Sequence, residues 1–355
     1  MLFPYKYINH DMEKMQKYMD YIFFEVWMKA SKNKKYQLTI YNKYPELKTI
    51  MKNLEFSDSL GADFFKTKIA EIYEICQKYS LGQKTKLKKW YVINQNIKSL
   101  CENTICNNPL NYDNFDKFDT KLSSKLKSLY SRLYGSEAIN ELKEFKPYTK
   151  TIDEHYKKFT YENNKGVCPF CGLTHIKGIY HTKREAYDHY LPKGTYPFLS
   201  INFKNLSPMC HECNSSYKLE NNPIFDKRKN RRKAFYPFRY DSTNIHVKVS
   251  LNTVDKTEIK PENIDIEIFS SYESETKTWI EIFGIEERYK ATLSSESEGL
   301  EWLAEILDDV ENKEDLTKDD ALKTIKKSFE RNPFAQQRFL KVPFLEACQN
   351  AGIIS

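Results

Sequence analysis

The sequence predicts an α+β fold in three parts. A mainly helical N-terminal region covers residues 1–145, a small Cys/His-rich module covers 146–238, and a strand-then-helix C-terminal region covers 239–355. Three observations carry this prediction. Apolar residues recur at helical spacing through the first part. That period stops where Cys, His, Pro and Asn crowd together between Gly166 and Phe238. Two alternating runs then precede a return to helical spacing.

In the N-terminal region Met12, Met15, Met19 and Ile22 share one helix face, as do Ile69, Ile72, Tyr73, Ile75 and Cys76. Leu122, Leu126, Leu129, Leu133 and Tyr134 form a third stripe. Stripes of this kind are core packing. Lys84, Lys86, Lys88 and Lys89 precede Trp90; a solvated helix start is the plainer reading and phosphate contact the sharper one. Exposed Trp and Tyr in this region would suit base stacking or partner docking. In the C-terminal region His246–Leu251 and Ile264–Phe269 alternate like strands. Trp279, Ile282, Phe283 and Ile285 then mark one helix, and Leu300, Leu303, Ile306 and Leu307 another.

Composition narrows the function. Hydrophobic residues at 40% and aromatics at 14% supply enough apolar material for real cores, which excludes wholesale disorder. The net charge of +7 leans toward a polyanion partner only slightly, but its distribution says more. Lys227, Arg228, Lys229, Arg231, Arg232 and Lys233 form a basic run, whereas Glu296 to Asp320 is acidic. There is no Walker loop, no dinucleotide-binding glycine pattern and no repeat. The first residues lack the apolar stretch of a secretory signal, and the longest apolar run, from Tyr21 to Met28, falls far short of the roughly 20 residues a span needs. The expectation is a soluble cytoplasmic protein without a membrane partner, in which thiols stay reduced.

In a reducing compartment paired cysteines read as metal ligands before disulfides. Cys168-Pro169-Phe170-Cys171 and Cys210-His211-Glu212-Cys213 are two Cys-x-x-Cys knuckles. Each lets two thiolates face one ion from a tight turn, and two knuckles complete a tetrahedral four-cysteine zinc shell. Two disulfides or a redox pair are the alternatives. Cys76, Cys101, Cys106 and Cys348 have no such partners and read as small hydrophobes. His175 and His181 lie near the first knuckle but add nothing to a closed shell of four.

Between the knuckles stands Tyr187-Asp188-His189-Tyr190-Leu191-Pro192-Lys193, then Asn205-Leu206-Ser207-Pro208-Met209, and the second knuckle leads directly into Asn214 with Lys218 four residues on. Over residues 166–220 this order resembles the HNH (ββα-metal) endonucleases, in particular the zinc-stabilised, endonuclease VII-like branch. Asp153-Glu154-His155-Tyr156 and Phe235-Tyr236-Pro237-Phe238 extend a softer resemblance to HNH proteins of bacterial anti-phage systems, such as the HNH subunit of Septu-type systems.

The resemblance implies a central ββα-metal module and a role for each residue. His189 is the general base, suited to it because an unperturbed imidazole titrates near ~6.5. Asp188 and Asn214 hold one catalytic Mg²⁺ or Mn²⁺, and Asn205 pins the loop between the two strands. Because neighbouring strand residues face opposite ways, Asp188 and His189 serve one site only if the backbone is distorted there. The family often has His at the last position, where this chain has Asn214; a neutral amide binds Mg²⁺ more weakly and favours Mn²⁺. Lys193, Lys218 and the basic run 227–233 are candidates to hold phosphates, against a plain solubilising surface. The implied function is a DNA endonuclease of phage defence with a regulatory ATPase as partner. An RNase on the same scaffold and a non-catalytic zinc-dependent nucleic-acid-binding module are the other readings.

Overall fold

A computed structural model of the chain describes residues 1–105, 107–134, 139–311 and 318–354. Cys106 and the middle of the acidic stretch lie outside the described residues. The chain is α+β. Its helices in order are α1 (Lys14–Tyr21), α2 (Pro45–Glu55), α3 (Leu60–Cys76), α4 (Leu81–Gln95), α5 (Ile97–Cys101), α6 (Tyr112–Ser131), α7 (Lys146–Thr149) and α8 (Ile152–Glu162). Two short antiparallel strands follow, β1 (Ala186–His189) and β2 (Leu206–Met209), then a π-helical turn Cys213–Lys218. A second antiparallel pair, β3 (His246–Leu251) and β4 (Ile264–Phe269), precedes α9 (Glu273–Phe283), α10 (Ile285–Leu293), α11 (Gly299–Glu311), α12 (Lys318–Arg331) and α13 (Arg338–Asn350). Among the described residues no helix is long and apolar enough to cross a membrane.

Local signals explain the helix boundaries. Ser80 with Gln83, and Thr151 with Glu154, form capping boxes that satisfy the first backbone amides of α4 and α8. Pro45 opens α2 with its φ already set for a helix. α6 kinks at Asp119, whose carboxylate accepts from Leu122 N at 2.8 Å and from the Tyr79 hydroxyl at 2.6 Å. The stripe expected to continue from Trp279 through Ile285 is split into α9 and α10 by Gly284, at φ 57°. Only glycine suits that site: the backbone is left-handed, and a Cβ would overlap the Tyr217 ring.

The apolar side chains gather in two large clusters and a small one. The N-terminal helices bury Tyr18, Trp27, Tyr41, Phe65 and Tyr130 in one core. The second joins the cysteine knuckles to α9, α10 and α13. The clusters cross the boundaries expected from sequence: Ile93, Ile97, Leu100 and Cys101 join the knuckle core, and Phe198 and Ile201 join the N-terminal one. Residues 1–8 leave the helical region and lie against the knuckles: Leu2 N donates to Pro169 O and Tyr5 N to Pro237 O, both at 2.8 Å. The C-terminal helices share the knuckle core instead of forming their own. The physical reason is size. A module of fewer than a hundred residues built on one two-stranded sheet of four-residue strands buries too little apolar surface alone and borrows neighbours.

The third cluster holds Met12, Ile152, Tyr156, Tyr187, Phe203 and Leu206, with His155 at its edge. His155 Nδ1 meets the Tyr187 hydroxyl at 2.5 Å, and its ring packs against Phe203. Burial, followed by the charge of nearby His10, pushes the His155 imidazole down to about 3. An unfolded histidine titrates near ~6.5, so between those limits only the unfolded chain binds this proton. The contribution of neutral His155 is therefore complete above the unfolded value and lost as pH falls toward 3. In urea titrations the stability is expected to decline over this window, and His155→Gln, which keeps a partner for Tyr187 without titrating, should lower the slope by about 1.4 kcal/mol per pH unit. An unchanged slope in that variant would show that His155 does not control acid sensitivity.

Candidate metal centre and catalytic cleft

The two knuckles converge. The sulfurs of Cys168, Cys171, Cys210 and Cys213 lie within 4.8 Å of one another, and all four residues are buried. Cys171 Sγ and Cys210 Sγ are 4.0 Å apart. A tetrahedron with Zn–S bonds of about 2.3 Å has an S–S edge of roughly 3.8 Å, so the donor set and its size fit a metal ion such as zinc. The first knuckle turns tightly at Gly172, φ 74°, where a Cβ would strike Leu2 and Phe339. Cys76, Cys101 and Cys348 are buried apart from this cluster, as small core residues.

The surroundings of the cluster were invisible in the sequence. Arg288 of α10 is buried and donates from Nη1 to Cys213 Sγ at 3.2 Å and from Nη2 to Glu212 Oε2 at 2.8 Å, with its guanidinium 4.5 Å above the Tyr217 ring. The Tyr289 hydroxyl donates to Cys171 O at 2.9 Å, and Trp279 Nε1 donates to Phe170 O at 2.7 Å. α9 and α10 thus form the outer shell of the cysteine site. A guanidinium against a sulfur favours its thiolate form and offsets the excess negative charge of four sulfurs around a divalent ion.

The knuckle passes its order to a neighbouring cleft of about 170 Å³, lined by Asp188, His189, Lys193, Asn214 and Glu220 among others. Asp188 and His189 end β1, opposite Ser207 and Leu206 of β2, and despite being adjacent both reach the same cleft. Asn214 follows Cys213 at once, in the π-helical turn. Asn205 lies behind the cleft, wholly buried. It accepts from Leu191 N at 2.8 Å and donates to Leu191 O at 2.9 Å, a two-bond clamp across the loop between the strands. His189 Nε2 is 2.9 Å from Ser200 O. A carbonyl only accepts, so Nε2 carries the proton and Nδ1 keeps its lone pair. Burial, then the charge of Lys193, pushes this imidazole down to about 3, away from the unperturbed value expected from sequence, so it stays neutral and is a weaker base than that expectation had it. The Tyr134 ring stands edge-on to it at 5.2 Å.

Lys218 departs from the sequence expectation. It does not face solvent or a phosphate: its side chain is fully buried, with Nζ 3.1 Å from Asp188 Oδ2 and 3.1 Å from His189 O. The turn that presents Asn214 also inserts Lys218, one turn later, beneath β1, and so ties the two halves of the cleft together. Burial raises the Asp188 carboxyl, while Lys218 opposes the rise. Asp188 Oδ2 has the ammonium beside it but no well-aligned hydrogen bond, since the lysine aims at carbonyls. Leu219 follows at φ 45°, an uncommon conformation for a branched side chain and one expected at a constrained site.

The basic run also divides. Arg231 donates to Ile224 O and Leu100 O, and Arg232 pairs with Glu281 and donates to Asn222 O, so these two bind the chain to itself. Lys227, Arg228, Lys229 and Lys233 are exposed, and none of the six lines the cleft. Lys193 does. Glu220, at the mouth, was missed because nothing in the spacing marks a carboxylate two residues past a buried lysine.

Two outcomes test this arrangement. Cys168→Ala should lose one tightly bound metal ion per chain by elemental analysis and unfold without cooperativity. Lys218→Met strands a buried carboxylate and should cost about 3–5 kcal/mol in urea unfolding, most of it recovered by adding Asp188→Leu; equal stability of Lys218→Met and the parent would contradict the buried pair. No protein-family model, curated protein or solved structure matches the chain.

Proposed function

We propose that the chain is a metal-dependent HNH-type endonuclease that hydrolyses phosphodiester bonds of DNA, with zinc in the four-cysteine site. One observation carries the reading: a histidine with a fixed tautomer, a carboxylate and a carboxamide line one cleft beside a four-cysteine centre. The resemblance of residues 166–220 to the HNH family assigns roles that agree with this arrangement. A bacterial defence setting and a regulatory ATPase partner belong to the same proposal.

Asp188 and Asn214 fit a hard divalent ion: one charged and one neutral oxygen donor in a small polar cleft, with the buried Asp188 Oδ2 lacking a well-aligned hydrogen bond. Bound there, Mg²⁺ or Mn²⁺ would supply positive charge to the phosphate and the departing oxygen. The chain does the rest. Ser200 O holds His189 so that Nδ1 accepts a proton from water. The water oxygen bonds to phosphorus, the bond to the 3′ oxygen breaks, and that oxygen takes a proton from solvent. Lys193 offers charge to the phosphate, and the Asn205 clamp keeps the base in place.

Purified protein is incubated with plasmid DNA, single-stranded DNA and total RNA, with and without added Mn²⁺, its zinc content being checked in both arms. Metal-dependent cutting of the plasmid is expected, with His189→Ala slower by about 10²–10⁴-fold while its zinc content stays unchanged. Cutting of RNA alone would move the substrate to RNA. No cutting, or full activity of His189→Ala, would sink the reading.

A further inference from the structure

Apart from the cleft, a groove of about 480 Å³ runs between α4, α5 and the segment after Phe235. Its walls carry Tyr7, Tyr236, Phe238 and Tyr240, and its rims carry Lys98 and Lys204. We propose that this groove binds single-stranded nucleic acid, with a base stacked on Tyr240 and phosphates held by Lys98 and Lys204. The proposal rests on the nuclease reading and names the strand form that the site takes.

Exposure and charge both point there. Tyr240 is 93% exposed, so a face of its ring is open to a stacking base. Lys98 Nζ stands 5.7 Å from the centre of that ring. A base added to the open face of Tyr240 would bring its phosphate within reach of an ammonium already in place. Among the described residues Lys204 has no carboxylate within ion-pair distance, and Lys98 has only a long contact of 3.8 Å to half-buried Glu102. Among the described residues no carboxylate lines the groove, so it suits a polyanion. Duplex bases keep their faces covered by stacking and cannot reach a lone ring, which is why a single strand is the fitting occupant.

Position strengthens the assignment. Lys204 immediately precedes Asn205, the clamp residue of the cleft. Gln95 on the groove wall donates to Phe198 O at 2.9 Å and accepts from Asn202 Nδ2 at 2.7 Å. The same loop carries Ser200, which orients His189. Groove and cleft therefore share one loop fixed at both ends, and a strand lying in the groove is held in register with that loop.

The test is binding, read independently of cutting. His189→Ala protein, without added Mg²⁺ or Mn²⁺ and with its zinc content checked, is titrated into fluorescein-labelled 16-nucleotide single-stranded DNA, the same sequence as RNA, and the DNA duplex, followed by anisotropy. Single strands should bind at least about 10-fold tighter than duplex. Exposed Tyr240→Ala should weaken single-strand binding about 10-fold, Tyr240→Trp should retain it, and Lys204→Ala should reduce the salt slope by about 0.7. The ratio of the DNA and RNA arms names the sugar. Equal affinity of Tyr240→Ala and its parent, or preference for duplex, overturns the proposal. If the groove variants lose affinity but the parent shows no metal-dependent cutting, the groove stands and the nuclease reading falls; cutting that is normal with Tyr240 irrelevant to binding does the reverse.

Discussion

Everything near the cleft depends on four sulfurs held within 4.8 Å of one another in a buried site. As thiolates, each pair about 4 Å apart repels by about 4 kcal/mol at an effective dielectric of ~20, so the cluster persists in that form only around a cation. One divalent ion leaves an excess of negative charge, and the molecule answers with Arg288 at Cys213 Sγ. The arginine comes from α10, seventy-five residues further along the chain. The core that the C-terminal helices share with the knuckles thus also brings a compensating charge to the cysteine site.

The order imposed by the cysteines is transmitted in short steps. Cys213 fixes the start of the π-helical turn, the turn presents Asn214, and Lys218 at its end fastens β1 through Asp188 and the His189 carbonyl. Insertion of one extra residue into a helical turn is a local cost that recurs at functional sites. On the other side the N-terminal helices act as a second anchor. Asn94 bridges Leu110 O and Pro197 O, and Gln95 grips Phe198 and Asn202, so the loop between β1 and β2 cannot drift. Phe198 at φ 76° is buried among Phe23, Tyr91 and Tyr130, which shows how strongly that packing overrides local backbone preference.

What the sequence made legible follows from the range of each signal. Strands β3 and β4 fell at the residues their alternation indicated, because a period of two is written locally. The knuckles were legible because cysteine pairs in a reducing setting have few other uses. β1 and β2 are four residues each, β2 wholly buried and β1 half so, too short to show an alternation, and they were expected only through the resemblance that Asp188, His189 and Asn205 carry. Lys218 was read as a candidate phosphate contact, but it is buried against Asp188 and the His189 carbonyl: a buried ammonium needs oxygen partners that only the folded chain supplies. Arg231 and Arg232 were misread for the same reason, their guanidinium groups being spent on backbone carbonyls and Glu281. Arg288 gave no sign at all, since its partners lie in a distant knuckle.

The charge balance of the cleft, on the nuclease reading, has a consequence for how the ion arrives. Asp188 is the one carboxylate deep in the cleft, and Lys218 already neutralises it at 3.1 Å. Asn214 adds no charge, Lys193 adds a positive one, and only Glu220 at the mouth opposes it. The empty cleft thus exerts little net attraction on a divalent cation. A phosphodiester changes the sum, because its charge lies against Lys193 and supplies further oxygen ligands of the kind hard cations take from phosphate-bearing substrates. Ion and phosphate then stabilise each other in the cleft, and the lysine that fixes the aspartate's geometry is also what keeps the metal from settling there without the strand to be cut.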